Sequence, residues 1–148
     1  MCSRGATLRR EGSVGLFGQL FGEKSSEDRA LDDMNEAVRL YRKGDFRGAL
    51  RVADGLVASA PSIALSWRFR GECLFSLQQY SDAVASFDRA ARLGGRGTED
   101  VFLWCALALH NGGKPSEAKA LLREKLTTDL SPELRVRTED ALQKLGQA

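Results

Sequence analysis

A chain of 148 residues has one domain's length, and 43% hydrophobic with 28% charged residues is ordinary for a folded globular protein. With 22 Lys and Arg against 20 Asp and Glu the net charge is +2, too weak a field to favour nucleic acid or an anionic membrane. These values exclude collagen, coiled-coil rods, disulfide-rich scaffolds and wholly disordered chains, and no run approaches the roughly 18 apolar residues of a membrane-spanning helix.

Residues 1–25 read as a partly disordered N-terminal arm. Arg4, Arg9 and Arg10 could open a signal peptide, but Glu11 to Gly22 carries an acid, a glutamine and four glycines where a continuous apolar core is needed. Within this stretch Leu16, Phe17, Leu20 and Phe21 recur at i, i+1, i+4, i+5, which would put them on one helical face. Gly15, Gly18 and Gly22 weaken such a helix by about 1 kcal/mol each relative to Ala. Three readings stay open: a loose leader, an arm docking on the folded domain or a partner, and insertion into a membrane surface. The small flanking charge counts against the last. The segment is similar to the Gly-Leu-Phe-x-x-Leu-Phe-Gly openings of many bacterial cytosolic proteins, which implies a translation start at Val14.

The next elements repeat. Ala49, Ala83 and Ala118 are spaced by 34 and 35, as are Ala37, Gly71 and Ala106, and Ala53, Phe87 and Leu122. Phe46 and Tyr80, and Pro61 and Gly95, are also 34 apart. Each unit reads as two helices. The first unit (28–61) has helices near 27–43 and 46–59 around a Gly44-Asp45 turn, stopped by Pro61. The second (62–95) has helices near 63–77 and 80–93 around Gln78-Gln79, ended by Gly94-Gly95. In the third (97–130), Thr98 is placed as an N-cap, Gly112-Gly113 ends the first helix, and Pro115 suits the opening of the second. Ser131-Pro132-Glu133, an N-cap followed by Pro, opens a last helix over 131–146, with Leu134, Ala141, Leu142 and Leu145 as its apolar stripe.

This pattern resembles the tetratricopeptide repeat (TPR) family, whose unit is a 34-residue helix-turn-helix. Trp67, Gly71, Leu74, Tyr80, Ala83, Phe87 and Ala90 of the second unit fall at family positions, while Arg70 replaces the usual Leu and Gly95 the usual Pro. The first unit matches at Ala37, Leu40, Phe46, Ala49 and Pro61, and departs at Glu36 and in lacking the Trp. The third matches at Phe102, Ala106, Leu109 and Ala118 and carries one extra residue. Small residues at 71, 83 and 90 let helices approach, and Trp67 and Phe87 fill the wider gaps. Trp104 and Tyr80 are likewise read as packing residues. The expected fold is all-α: a right-handed stack of three such units with a C-terminal capping helix.

The resemblance also implies a concave groove lined by the first helix of each unit. Its positions fall on Met34, Val38, Tyr41 and Arg42, then Arg68, Glu72, Phe75 and Ser76, then Leu103, Leu107, His110 and Asn111. The family's co-chaperones clamp a C-terminal carboxylate with a Lys and an Asn in the first unit; Met34 and Val38 stand there, so no such clamp is expected. The groove is mostly apolar and suits a hydrophobic peptide or an amphipathic helix, with Arg68 setting its orientation. The Leu16–Phe21 segment could occupy the same groove in cis.

Cofactor, metal and catalytic readings fail on residue types. Cys2, Cys73 and Cys105 are odd in number and far apart, and His110 is the single histidine, so neither a disulfide framework nor a zinc site is expected. Free thiols suit the reducing cytoplasm. Gly112-Gly113-Lys114 fails as a phosphate loop because Ala108 stands where Gly is required and Pro115 where Ser or Thr is required. The expected function is therefore a non-catalytic protein-interaction module, an adaptor or scaffold without a nucleic-acid partner. A homo-oligomerisation domain and a peripheral membrane adaptor acting through the arm are the alternatives.

Overall fold

The computed structural model describes residue 22 and residues 24–147. Seven α-helices and no strand occur among them: α1 (Ser26–Arg42), α2 (Phe46–Ser59), α3 (Ala64–Ser76), α4 (Tyr80–Leu93), α5 (Val101–Asn111), α6 (Pro115–Leu126) and α7 (Pro132–Gln147). The chain divides between Asp32 and Asp33 into two units, so α1 opens in the first and closes in the second. In the first unit, Ser25 and Asp28 cap the start of α1 reciprocally. The Asp28 amide donates to Ser25 Oγ at 3.1 Å, and the Ser25 amide donates to the Asp28 carboxylate at 3.3 Å. Lys24 forms an ion pair with Asp32 one turn further on. The start at Val14 and the segment Leu16, Phe17, Leu20 and Phe21 lie outside the described residues.

In the second unit one turn is built three times. Gly44, Gln78 and Gly113 adopt φ of 82°, 60° and 83°, the left-handed conformation that ends a helix. The residue after each reaches back to the same place: the amides of Asp45, Gln79 and Lys114 donate to the carbonyls of Leu40, Leu74 and Leu109 at 3.0, 2.9 and 2.8 Å. These are the turns expected at Gly44-Asp45, Gln78-Gln79 and Gly112-Gly113. From α2 onward each helix packs chiefly on its neighbours in the chain, and α7 also touches α5. The result is an all-α helical repeat stack, in which each element borrows its core from the next.

Two clusters fill the stack. One gathers Leu74, Ala83, Phe87, Ala90, Val101, Cys105 and Ala108, with Trp67, Phe75 and Trp104 packed against it. The other holds Phe102, Ala106, Ala118, Leu122 and Leu145. The paired positions compensate in size: Gly71 faces Phe87, a Cβ at 71 falling 2.6 Å from the ring, and 35 residues on the pair is Ala106 and Leu122. Arg70, which departs from the family's Leu, is accommodated by polar partners. Its guanidinium donates to Asp54 at 2.6 Å and to the buried Ser86 hydroxyl at 2.7 Å, and lies 6.0 Å from the centre of the Trp67 ring.

Two boundaries differ from expectation. Thr98 does not cap α5. Its hydroxyl donates to the Gly95 carbonyl at 2.7 Å, tightening the loop, and the helix begins at Val101. At the last helix Ser131 does cap, accepting from the Leu134 amide at 3.3 Å, and the helix continues through Gly146 to Gln147. Ala141 lies 35 residues after Ala106, so α7 stands in the register of a further first helix.

Candidate functional site

The residues expected to line the groove lie on α1, α3 and α5. On α1, Met34 and Val38 are half-buried and Arg42 is exposed at the helix end. Tyr41 turns toward α3: its hydroxyl shares a 2.8 Å hydrogen bond with Ser76, and its ring meets Phe46 and Phe69 edge-on at 5.0 and 5.7 Å. Tyr41 and Ser76, both placed on this face, thus join α1 to α3.

Arg68 does not offer a free charge. Its Nε lies 3.0 Å from Glu72 one turn on, and its Nη1 lies 3.0 Å from Asp100 and donates also to the Gly97 carbonyl. Asp100 in turn sits 3.3 Å from Arg137 of α7. This chain of alternating charges ties α3, the loop before α5, and α7 together. An arginine with three acceptors has little left for a partner, so it acts as a strut rather than as an orienting contact. Phe75 is also engaged internally, edge-on to Tyr80 at 5.4 Å and to Trp104 at 5.8 Å.

On α5 the face is open. Leu107 is 40% exposed. Together with Leu103 it enters a cleft of about 290 Å³ between α5 and α7, floored by Leu122 and Leu145 and edged by Arg137 and Lys144. At the end of α5, His110 is half-buried with Nδ1 enclosed and without a hydrogen-bond partner among the described residues, and Asn111 is exposed. Burial pushes the thiols of Cys73 and Cys105 up to about 12 and about 11, so both are neutral, inert packing groups. Among the described residues no group of three or more His, Cys, Asp or Glu side chains could hold a metal ion, and no helix is long and apolar enough to cross a membrane.

Sequence reasoning passed over three residues. Leu65 stands one turn before Arg68 on α3 and is 49% exposed; its i, i+3 spacing from Arg68 was the available signal. Asp100 and Arg137 lie 32 and 69 residues from Arg68, and no local pattern announces that they meet.

Residues 34–98 match the family model for the tetratricopeptide repeat. Over those residues the chain carries the tetratricopeptide repeat pattern. Over 75 residues this chain is 36% identical to the cytochrome c-type biogenesis protein CycH of Pseudomonas aeruginosa, a stretch that takes in 49% of it. It spans 18% of the length of that relative. The type III secretion translocator chaperone SycD of Yersinia enterocolitica superposes with a TM-score of 0.70 at 21% identity, over 92% of this chain and 95% of SycD. SycD in complex with a peptide of the translocator YopD gives 0.70 at 22% identity, over 84% and 97%. The TPR2B domain of yeast Sti1 in complex with pHsp70 gives 0.67 at 17%, over 80% and 96%. At these identities the likeness is one of fold.

Proposed function

We propose that this TPR chain is a non-catalytic protein-interaction module that binds a hydrophobic peptide or an amphipathic helix along the face formed by α1, α3 and α5. The observation that carries the reading is the open apolar surface at Leu103 and Leu107, on the same helical rows that place Met34 and Val38 on α1. Apolar area left open on a preformed helical surface favours association with an apolar partner, and rigid helices limit the entropy lost on binding. SycD in complex with a YopD peptide and Sti1 in complex with pHsp70 show that the shared architecture accommodates peptide partners in those proteins. The charge network around Arg68 leaves the face with few free charges, which favours apolar over acidic partners. Free thiols at Cys73 and Cys105 suit a reducing cytoplasm as the place of action.

The test is fluorescence anisotropy with a labelled Leu-rich amphipathic peptide and an extended Leu/Phe peptide, against a Gly-Ser peptide of equal length. The expected result is saturable binding of the apolar peptides only, weakened at least about tenfold in Met34→Glu/Val38→Glu. Equal behaviour of all three peptides overturns the reading. Exposed Ile63 and Leu65, at 44% and 49%, favour the second reading, self-association. A dimer in light scattering that Leu65→Glu dissociates would put that reading first.

A further inference from the structure

Two junctions of the stack are made of equivalent residues, and they are filled differently. At the first, Phe87 of α4 presses on Gly71 of α3, and Arg68 stretches across to Glu72, Asp100 and the Gly97 carbonyl. Thirty-five residues on, the same positions hold Leu122, Ala106, Leu103 and Leu107. The phenyl ring has become a leucine, and the guanidinium and its carboxylate have become leucines too. A cleft of about 290 Å³ opens there, between α5 and α7.

The surroundings select its occupant. Arg137 at the mouth lies 3.3 Å from Asp100, and Lys144 lies 2.7 Å from Asp140, so each cation already has its carboxylate. A charged side chain entering the cleft would lose water and find no free counterion, whereas an apolar one loses nothing. The volume falls at the lower edge of the roughly 300–1,000 Å³ that accommodates a whole small ligand, and suits one large side chain. The preceding junction supplies the template for its shape, a phenyl ring lying against the first helix of the unit.

We propose that the α5–α7 cleft is the anchor pocket for a phenylalanine side chain of a peptide partner, which packs on Leu122, the smaller residue standing where Phe87 stands one unit earlier. This rests on the reading of the α1–α3–α5 face as a peptide-binding surface, and adds which side chain the partner must carry and where it enters. A single buried aromatic anchor supplies a large share of the affinity of such a contact.

The experiment uses the full chain with labelled methyl groups, titrated by NMR with N-acetyl-phenylalanine amide and, in parallel, with N-acetyl-glutamate amide. The phenylalanine probe is expected to shift the methyl signals of Leu103, Leu107 and Leu122 saturably, and the glutamate probe to leave them in place. Ala106→Gly/Leu122→Phe rebuilds the Gly71–Phe87 pair and plugs the cleft with the chain's own ring, so its response is expected to vanish. Leu107→Gln changes an exposed side chain at the mouth and leaves the core intact; it is expected to weaken the response at least about tenfold, and it decides if the double variant fails to fold. Non-saturating shifts, or shifts that survive both substitutions, overturn the proposal. If the labelled apolar peptides bind the native chain and lose affinity in Met34→Glu/Val38→Glu but not in Leu107→Gln, the peptide-binding face stands and the anchor pocket falls.

Discussion

A Cβ placed on Gly71 would stand 2.6 Å from the ring of Phe87, a separation that real side chains do not tolerate. The ring is wholly buried and hemmed in by Leu74, Ala83 and Ala90, so it cannot step aside without cost. Gly71→Ala therefore sets an overpacking penalty of about 1–3 kcal/mol against a helix-propensity gain of about 1 kcal/mol. Net destabilisation is expected by urea unfolding. Gly71→Ala/Phe87→Leu, which copies the Ala106–Leu122 pair, should recover part of the loss; equal instability of both variants would show that volume is not the cause.

Asp100 stands between two arginines, Arg68 at 3.0 Å and Arg137 at 3.3 Å. Arg68 and Asp100 are mostly buried, while Arg137 is 46% exposed and reaches in from α7. A double-mutant cycle on Asp100→Asn and Arg137→Ala should give a coupling of about 0.5–1 kcal/mol at low salt. The outer pair is screened, so the coupling should shrink at 1 M salt, where the Debye length is about 3 Å. A coupling insensitive to salt would mean that Asp100 holds α7 by hydrogen bonding alone.

The repeat itself was legible because its carriers are local: small residues at 37, 71 and 106, apolar residues at 53, 87 and 122, and turn residues at 44, 78 and 113. The helices formed at the expected places, since each turn is specified within a few residues of itself. The electrostatics of the face were not legible. Helical spacing places Arg68 on the outer row of α3, but whether its guanidinium points to a partner or to its own chain depends on Asp100, which a loop delivers from 32 residues away. Phe75 was hidden in the same way, because its ring is taken up by Trp104 from the following unit. The start of α5 was misplaced because Thr98 spends its hydroxyl on the Gly95 carbonyl, a choice set by the left-handed glycines of that loop.

Burial raises the Cys73 and Cys105 thiols from their ordinary 9.0 to about 12 and about 11. In a Cys2→Ser background both should resist a disulfide reagent at pH 8 and react promptly once urea is added. The sign of the pH effect follows from proton counts. Above about pH 9 the unfolded chain releases these protons while the native chain keeps them, so stability falls as pH rises from 9 toward 11. Cys73→Ala/Cys105→Ala should flatten that decline in unfolding curves recorded across the interval.

Gln78 is the one non-glycine among the described residues with a left-handed φ, at 60°, where the equivalent turns use Gly44 and Gly113. A side chain in that region costs about 1 kcal/mol, and Gln78→Gly should return roughly 0.5–1 kcal/mol of stability. The measurement is the urea midpoint at unchanged slope. No gain would mean that the Gln78 side chain earns its place through a contact of its own.

Because α2 to α7 each rest mainly on the helices next to them in the chain, the protein has low contact order. Short loops close before distant segments must meet, which places its folding in the fast, microsecond-to-millisecond class of helical domains. The same locality removes any single point at which the whole stack is held shut. Opening can therefore pass from helix to neighbouring helix instead of releasing the whole array at once. A side chain bound in the cleft between α5 and α7 would tie those two helices together and so slow the opening of the helices that rest on them.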